Sequence, residues 1–398
     1  MTISVLIPAY RAGEFLAQTL QSALAQTYED IRILVHIDPC DEDGSGSPED
    51  SLQAIEPFRS DPRLRVRHNP ERLGWAANTR SLLHEVDTPY YAILPHDDFW
   101  EPDYLQVLHA ELVSSADASV AYCDLVTFGD DVPFRKSVRL PRDGSLRAQL
   151  LAFLLEGAEA MPWRGVTRSA MLPRIGGFPV DDHGGFAVEC EYALSLLLAG
   201  TAIHVPRTMY HKRVFPIGAS NASQQRIAEA DPDELRLAWA RHAAHMEELL
   251  RDGLSRESAI SDGTDGLLLT ALTAAMLRRY QQSVGPVLSP EQRHATIDQM
   301  RAVSISMEGS ADAVRSRLQL ILSRHADATG DEAQGYAQAK LAISFDPDHH
   351  EARLYLAHQR QARGHFEEAL DYTSYVERNA PDTAGLAPLL RHIHNQMD

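Results

Sequence analysis

The sequence predicts an α/β domain built on a mainly parallel sheet, followed by an all-α region. Three observations carry that prediction. Over roughly the first 125 residues, short apolar strand patterns alternate with amphipathic helix patterns, which implies a parallel sheet covered on both faces. Beyond Ala219, strand signals nearly vanish and helical periodicity takes over. Near the C-terminus, Pro347 and Pro381 stand 34 residues apart, and the pairs Gly330/Gly364 and Leu322/Leu356 share that offset.

The elements follow in order. Ser4–Ile7 is an apolar strand that ends at Pro8-Ala9-Tyr10. Glu14 to Gln26 is a helix, with Phe15, Leu16, Leu20, Ala23 and Leu24 at helical spacing. Ile31–Ile37 is a second strand, stopped by Asp38-Pro39, and Leu64–Arg67 is a short third. A helix from Gly74 to Val86 precedes the strand Tyr91–Leu94, which runs into Asp97-Asp98. Asp103 to Ser114 is a helix and Val120–Tyr122 one more strand. From Asp130 to Arg213 the pattern is mixed. It holds glycine-rich loops at Gly176-Gly177-Phe178 and Gly184-Gly185-Phe186, a helix over Glu189–Ala199 and a strand over Ala202–Val205.

A polar stretch from Ala219 to Asp233 marks a domain boundary. The expected division is 1–220 for the α/β domain, 221–309 for helices and 310–398 for helical repeats. Helices are expected over Glu234–Leu250, Leu267–Gln282, Pro290–Ala302 and Ala311–Ala326. In the last part Leu356, Gly364, Phe366, Ala369 and Pro381 fall where tetratricopeptide repeats place their packing residues, and the pattern resembles that family. Such a unit cannot bury its face alone, so it should stack on the helices before it. A generic helical bundle is the plainer alternative.

Composition narrows the function. The chain has 398 residues and a net charge of −19, which argues against broad binding to nucleic acid or anionic lipid. An anionic ligand would need a local cation or arginines. The three cysteines, Cys40, Cys123 and Cys190, form neither a disulfide framework nor a zinc pattern, which fits a reducing cytoplasm. No signal peptide is read at the N-terminus, and the apolar stretch from Gly266 to Leu277 is too short to span a bilayer.

The richest segment is Tyr90 to Trp100, where an apolar run ends in Asp97-Asp98. Open α/β sheets bind ligands at the carboxyl ends of their strands. Two carboxylates there suit a hard divalent cation, which in turn suits a diphosphate. An Asp-Asp pair alone is also an ordinary turn.

Four blocks bear on one another: Val5 to Asp38, Leu73 to Asn78, Pro95 to Trp100, and Ile175–Phe178 with Val188–Gly200. Their order and strand–turn–helix contexts resemble the family 2 glycosyltransferases of the GT-A fold, over roughly the first 215 residues. The resemblance implies a Rossmann-like nucleotide-diphospho-sugar transferase domain. Pro8, Ala9 and Tyr10 would border the nucleotide, and Asp38 would accept from an imide N–H of the base, typically uracil. The family's Asp-Asp-Gly-Ser continuation is broken here after Asp38. Asp97 and Asp98 match the family's Asp-x-Asp-Asp stretch, with Pro95 replacing its first Asp and His96 in the variable slot. One of them, Asp98 before Asp97, would bind Mn²⁺ or Mg²⁺, and the other would face the ribose or sugar. His211 or Arg213 would stand near the diphosphate, with His211 a further metal candidate. Gly177 would allow close backbone approach to sugar or acceptor, and Trp163 and Phe178 would offer apolar sugar faces. Asn78 is either a nucleotide contact or a core hydrogen bonder. Glu189 is the expected catalytic base, with Glu191 the alternative if the register slips.

The resemblance implies an inverting, metal-dependent transferase using a UDP-sugar and an acceptor glycan, peptide or protein. The alternative is a non-catalytic sugar-nucleotide-binding protein whose repeats recruit a partner. The helical repeats would equally serve as a homodimer interface.

Overall fold

The computed structural model describes residues 1–39, 48–129, 133–142, 145–155, 157–180, 185–214, 232–256 and 332–397, with scattered positions over 268–279 and 316–327. The expected helix Pro290–Ala302 and the broken turn after Pro39 lie outside the described residues. So does the polar stretch from Ala219, up to residue 231. The chain divides into two compact units, Met1–Ile260 and Ser261–Asp398.

The first unit alternates strands and helices: β1 (Ile3–Ala9), α1 (Gly13–Leu24), β2 (Ile31–Ile37), α2 (Pro48–Ile55), β3 (Leu64–His68), α3 (Trp75–His84) and β4 (Tyr90–Ile93). There follow β5 (Phe99–Trp100), α4 (Tyr104–Val113), β6 (Ala118–Gly129), β7 (Arg135–Lys136), α5 (Leu146–Leu155), β8 (Val166–Arg168) and α6 (Leu172–Ile175). The unit ends with α7 (Val188–Ala199), β9 (Thr201–Val214) and α8 (Pro232–Arg256). Among the described residues the sheet order is β3-β2-β1-β4-β8-β6-β9-β5, with β7 beside β6.

The strands β1 to β4 are parallel, and β1, β2 and β4 are buried along nearly their whole length, so they read as continuous apolar runs. Beyond β4 the sheet turns mixed. Strand β8 is antiparallel to both β4 and β6, and β5 is antiparallel to β9. The expectation of a mainly parallel sheet holds: β1 to β4 and the long β6–β9 ladder are parallel, and the antiparallel pairings of β5, β7 and β8 are short. The long strands β6 and β9 run side by side, with register shifts around Asp124. Such irregularities bend a strand and re-aim its side chains.

This topology positions the site. Chain order reverses at β1, which lies between β2 and β4, so the carboxyl ends at Ala9, Ile37 and Ile93 frame one crevice. The unit also extends past the expected boundary at residue 220 to include α8. That helix buries Trp239, Met246 and Leu250.

The second unit contains α9 (Glu332–Phe345), α10 (His350–Ala362), α11 (Phe366–Asn379) and α12 (Leu386–Met397). Residues at the 34-residue offset share burial: Gly335 and Ala369, Ala339 and Thr373, and Ala342 and Val376 are all buried. Leu389, Leu390 and Ile393 of α12 close the apolar cluster around Ala369 and Val376.

Candidate active site

The acidic turn is built by its neighbours. The N–H of Leu94 bonds the carbonyl of Leu6, which carries the sheet one residue past β4. The N–H of Asp98 then donates to the carbonyl of Pro95 at 3.2 Å and closes a tight turn. From α1, the hydroxyl of Thr19 lies 2.8 Å from the carbonyls of both His96 and Asp98. His96 bonds the carbonyl of Pro8 through Nδ1 at 3.2 Å, linking the turn to the end of β1.

The two acids take different places. Asp97 is half-buried at the tip. Asp98 is buried, and both its oxygens are engaged. The Tyr210 hydroxyl donates to Oδ2 at 2.6 Å and the backbone N–H of Arg213 to Oδ1 at 2.8 Å. Burial and the neighbouring Asp97 push the Asp98 carboxyl up to about 7, against the pull of Arg164 and its hydrogen bonds.

Three partners of this acid are not visible in any sequence motif. Arg164 ends the 3₁₀ turn Met161–Arg164 and lies over the rings of Trp163, at 4.5 Å, and Tyr210, at 5.5 Å. Burial works against its charge, but Tyr210, Asp98 and Glu189 together hold it above its ordinary range. Its Nε is buried without a hydrogen-bond partner. Burial and Arg164 pull Lys212 below its usual range, against the opposing pull of Asp98 and Glu189.

Glu189 occupies the first turn of α7, and its Oε2 is buried without a partner. The structure thus gathers Asp98, Arg164, Tyr210, Lys212 and Glu189 into one electrostatic cluster beside Asp97.

Glu191 faces elsewhere. It is buried, and its oxygens accept from Nδ1 of His242 and Nδ1 of His245, each at 2.7 Å. Burial would raise its pKa, but the two histidines hold it below the usual range. Between the two candidate bases, only Glu189 presents an open carboxylate oxygen to the cluster.

The remaining expected residues divide. His211 points to the opposite face of β9 from Tyr210, as strand alternation requires. It stacks on Phe99 at 4.2 Å and pairs with Glu101 at 2.7 Å, away from the Asp98 carboxylate. Arg213 shares that face, over Phe15 and Phe128, and its Nε donates to the Asp97 carbonyl at 3.2 Å.

Asp38 is only 1% exposed, accepting from Asn69 Nδ2 at 2.8 Å and from the N–H of Gly74 at 2.9 Å. Asn78 bonds the carbonyl of His36 and accepts from Asn69, so it is a core hydrogen bonder. Both residues therefore form the wall behind the crevice. Pro8 and Ala9 end β1 in the core, while Tyr10 stands half-buried between Arg11, at 5.2 Å, and Arg72, at 4.3 Å.

Gly176 terminates α6 in the left-handed conformation, and Gly177 follows at φ 84° with no atom within 4 Å of an added Cβ. Trp163 and Phe178 are buried and pack against each other, so they serve as core aromatics. Phe178 and Trp75 meet edge to face at 5.2 Å. A Cβ on Gly185 would lie 2.5 Å from Trp75 Nε1, at a φ of 80°. Gly185→Ala is therefore expected to cost about 1–3 kcal/mol of stability, read by urea melts. An unchanged midpoint would show that this contact yields freely.

Residues 4–171 match the family model described as glycosyl transferase family 2. The chain is 32% identical over 107 residues to a chondroitin synthase of Escherichia coli, which covers 26% of this chain and 14% of that protein. It is 31% identical over 104 residues to the putative teichuronic acid biosynthesis glycosyltransferase TuaG of Bacillus subtilis, covering 26% of this chain and 39% of that one. The chain thus spans less than half the length of either relative. Among solved structures, S. aureus TarS 1-349 in complex with UDP-GlcNAc superposes with a TM-score of 0.58 at 13% identity, covering 87% of this chain and 92% of that one. That likeness concerns the fold. The N-terminal fold is GT-A, and an all-helical region follows it.

Proposed function

Residues 4–171 belong to glycosyl transferase family 2, and from that premise we propose that this protein moves a sugar from a UDP-sugar to an acceptor hydroxyl with inversion at the anomeric carbon. One observation carries the reading. Glu189 keeps an unpartnered, buried carboxylate oxygen in the field of two partly buried cations, Arg164 and Lys212, beside the Asp97-Asp98 turn. A carboxylate so placed suits a general base, and the cations suit a departing diphosphate.

In this scheme the acceptor oxygen attacks the anomeric carbon from the face opposite the diphosphate. Glu189 takes the acceptor's proton as the new C–O bond forms. The bond from the anomeric carbon to the diphosphate oxygen breaks, and its electron pair leaves with UDP. Arg164 and Lys212 stabilise the charge that develops there. Tyr210 and the Arg213 N–H keep Asp98 fixed, and so hold the turn that carries Asp97.

The donor set also bears on the metal. Among the described residues no three His, Cys, Asp or Glu side chains converge as a protein-built cage. Asp98 is buried with a hydrogen bond on each oxygen, so the half-buried Asp97 is the more accessible carboxylate, where the sequence favoured Asp98. One carboxylate completed by substrate phosphates is the arrangement that Mg²⁺ favours, and Mn²⁺ fits the same set. The ion would neutralise the diphosphate charge, with Asp97 as its protein ligand.

UDP is proposed because the superposed TarS structure holds UDP-GlcNAc. A glycan acceptor is favoured by relatives named for chondroitin and teichuronic acid, with peptide or protein hydroxyls as the other class.

The test is UDP release from UDP-GlcNAc by the full chain, with Mn²⁺ titrated. Glu189→Gln should lower turnover by about 10²- to 10⁴-fold. Asp97→Asn is expected to raise the Mn²⁺ concentration for half-maximal rate by about 10-fold or more, the loss of one charged ligand being worth at least ~1.4 kcal/mol. An unchanged metal titration would remove Asp97 from the site.

A further inference from the structure

The helix that carries Glu189 starts without a cap. Its chain arrives through Ala187, a residue with a side chain held at φ 54°, and no side chain caps the first amides. The first amides of α7 gain nothing from a cap, so packing and side-chain contacts must hold the first turn. Some other contact must fix the direction of Glu189.

That contact is two residues further on. Helix positions rotate by about 100° each, so Glu191 faces nearly opposite to Glu189. Its carboxylate is gripped by two imidazoles of α8, one on each oxygen. Phe186, just before the turn, meets Trp239 of α8 edge to face at 5.0 Å. Further along, Gly253 lets α8 approach closely, since an added Cβ would come within 2.5 Å of Leu198. The first turn of α7 is thus braced from behind by α8, with the carboxylate–imidazole clamp at the level of the base.

We propose that His242, with His245, is a positioning residue for Glu189. The clamp holds the first turn of α7 in the rotation that aims Glu189 at the Asp98 cluster. This inference rests on the reading of Glu189 as the base. It makes α8, which lies beyond the region matched by the family model, part of the transferase apparatus.

The experiment follows hydrolysis of UDP-GlcNAc by the full chain, where water replaces the acceptor and its proton goes to Glu189. His242→Ala should lower kcat by about 10- to 100-fold, the usual consequence of a misplaced catalytic group, with donor KM within about two-fold of the parent. His242→Asn puts an amide N–H where Nδ1 stands and should restore most of the rate. His242→Gln, whose amide reaches the Nε2 position, should not. The double variant with Glu189→Gln should be no slower than Glu189→Gln alone.

A His242→Ala enzyme with unchanged kcat and a lowered melting temperature would make the clamp merely structural. Multiplicative losses in the double variant would also overturn the proposal. Should His242→Ala not fold, equal rates for the Asn and Gln variants would overturn it. If Glu189→Gln itself turns over normally, the base assignment falls, and the positioning role with it. An inactive Glu189→Gln beside a fully active His242→Ala removes only the positioning role.

Discussion

Glu189→Gln is expected to lower kcat for sugar transfer by about 10²- to 10⁴-fold, the range that a positioned general base contributes. Gln keeps the shape and loses the proton acceptor. Donor KM should move little, because the base acts on the acceptor. The loss should persist at every pH, since no titration restores a carboxylate. Glu191→Gln is the informative partner. Its carboxylate is spent on His242 and His245, so its loss should act through stability and positioning, and be smaller. Initial rates of UDP release for the two variants decide the matter. A larger loss at Glu191 than at Glu189 would reverse the assignment.

Asp98 should make folding stability depend on pH in an unusual direction. Its carboxyl is raised from 3.8 to about 7 by burial and by Asp97. Because the folded value is the higher, the stability this group contributes is fully present below its unfolded value. It is lost as pH rises through about 7. Three pH units correspond to about 4 kcal/mol, an order-of-magnitude ceiling. Asp98→Asn stays uncharged, so it should gain on the parent between pH 5 and pH 8 by up to about 3 kcal/mol, the part of that ceiling that falls in this window. Urea melts of both proteins across this range measure it. A constant difference would mean that Asp98 is already ionised throughout.

Much of the first domain was legible because its strands are simple. Ile31–Ile37 is buried on both faces and bounded by Asp38-Pro39, so its limits follow from the sequence. The acidic turn was legible through the blocks around it, since two carboxylates after an apolar run also make an ordinary turn. Strand β9 was harder. Only Ala202–Val205 reads as a strand, while the fourteen-residue whole contains Pro206 and a charged end, held by pairing with β6 and β5. Tertiary pairing overrides local propensity there.

The site was half legible for a similar reason. Arg164 and Lys212 belong to no spaced motif, and they become partners of Asp98 only when β9 and the turn after Met161 come together. A signal was present nonetheless. Arg164 interrupts the apolar run around Trp163, and a cation in such a run needs a buried counter-charge. Tyr210 and Lys212 alternate with His211 and Arg213, so one face of the strand receives one pair. The choice between Glu189 and Glu191 depended on α8, whose histidines at positions 242 and 245 share a helix face that no local reading ties to α7.

The bonds among Asp38, Asn69, Asn78 and Gly74 have a thermodynamic consequence. They join the ends of β2 and β3 to the start of α3, and Asn78 closes the set on the carbonyl of His36. This corner of the crevice is already stiff before any donor arrives. Little ordering entropy is then lost there on binding, so a greater share of the contact energy appears as affinity. Calorimetry of UDP binding should accordingly show a modest entropic penalty, and an Asn69→Ala variant, with that corner loosened, a larger one.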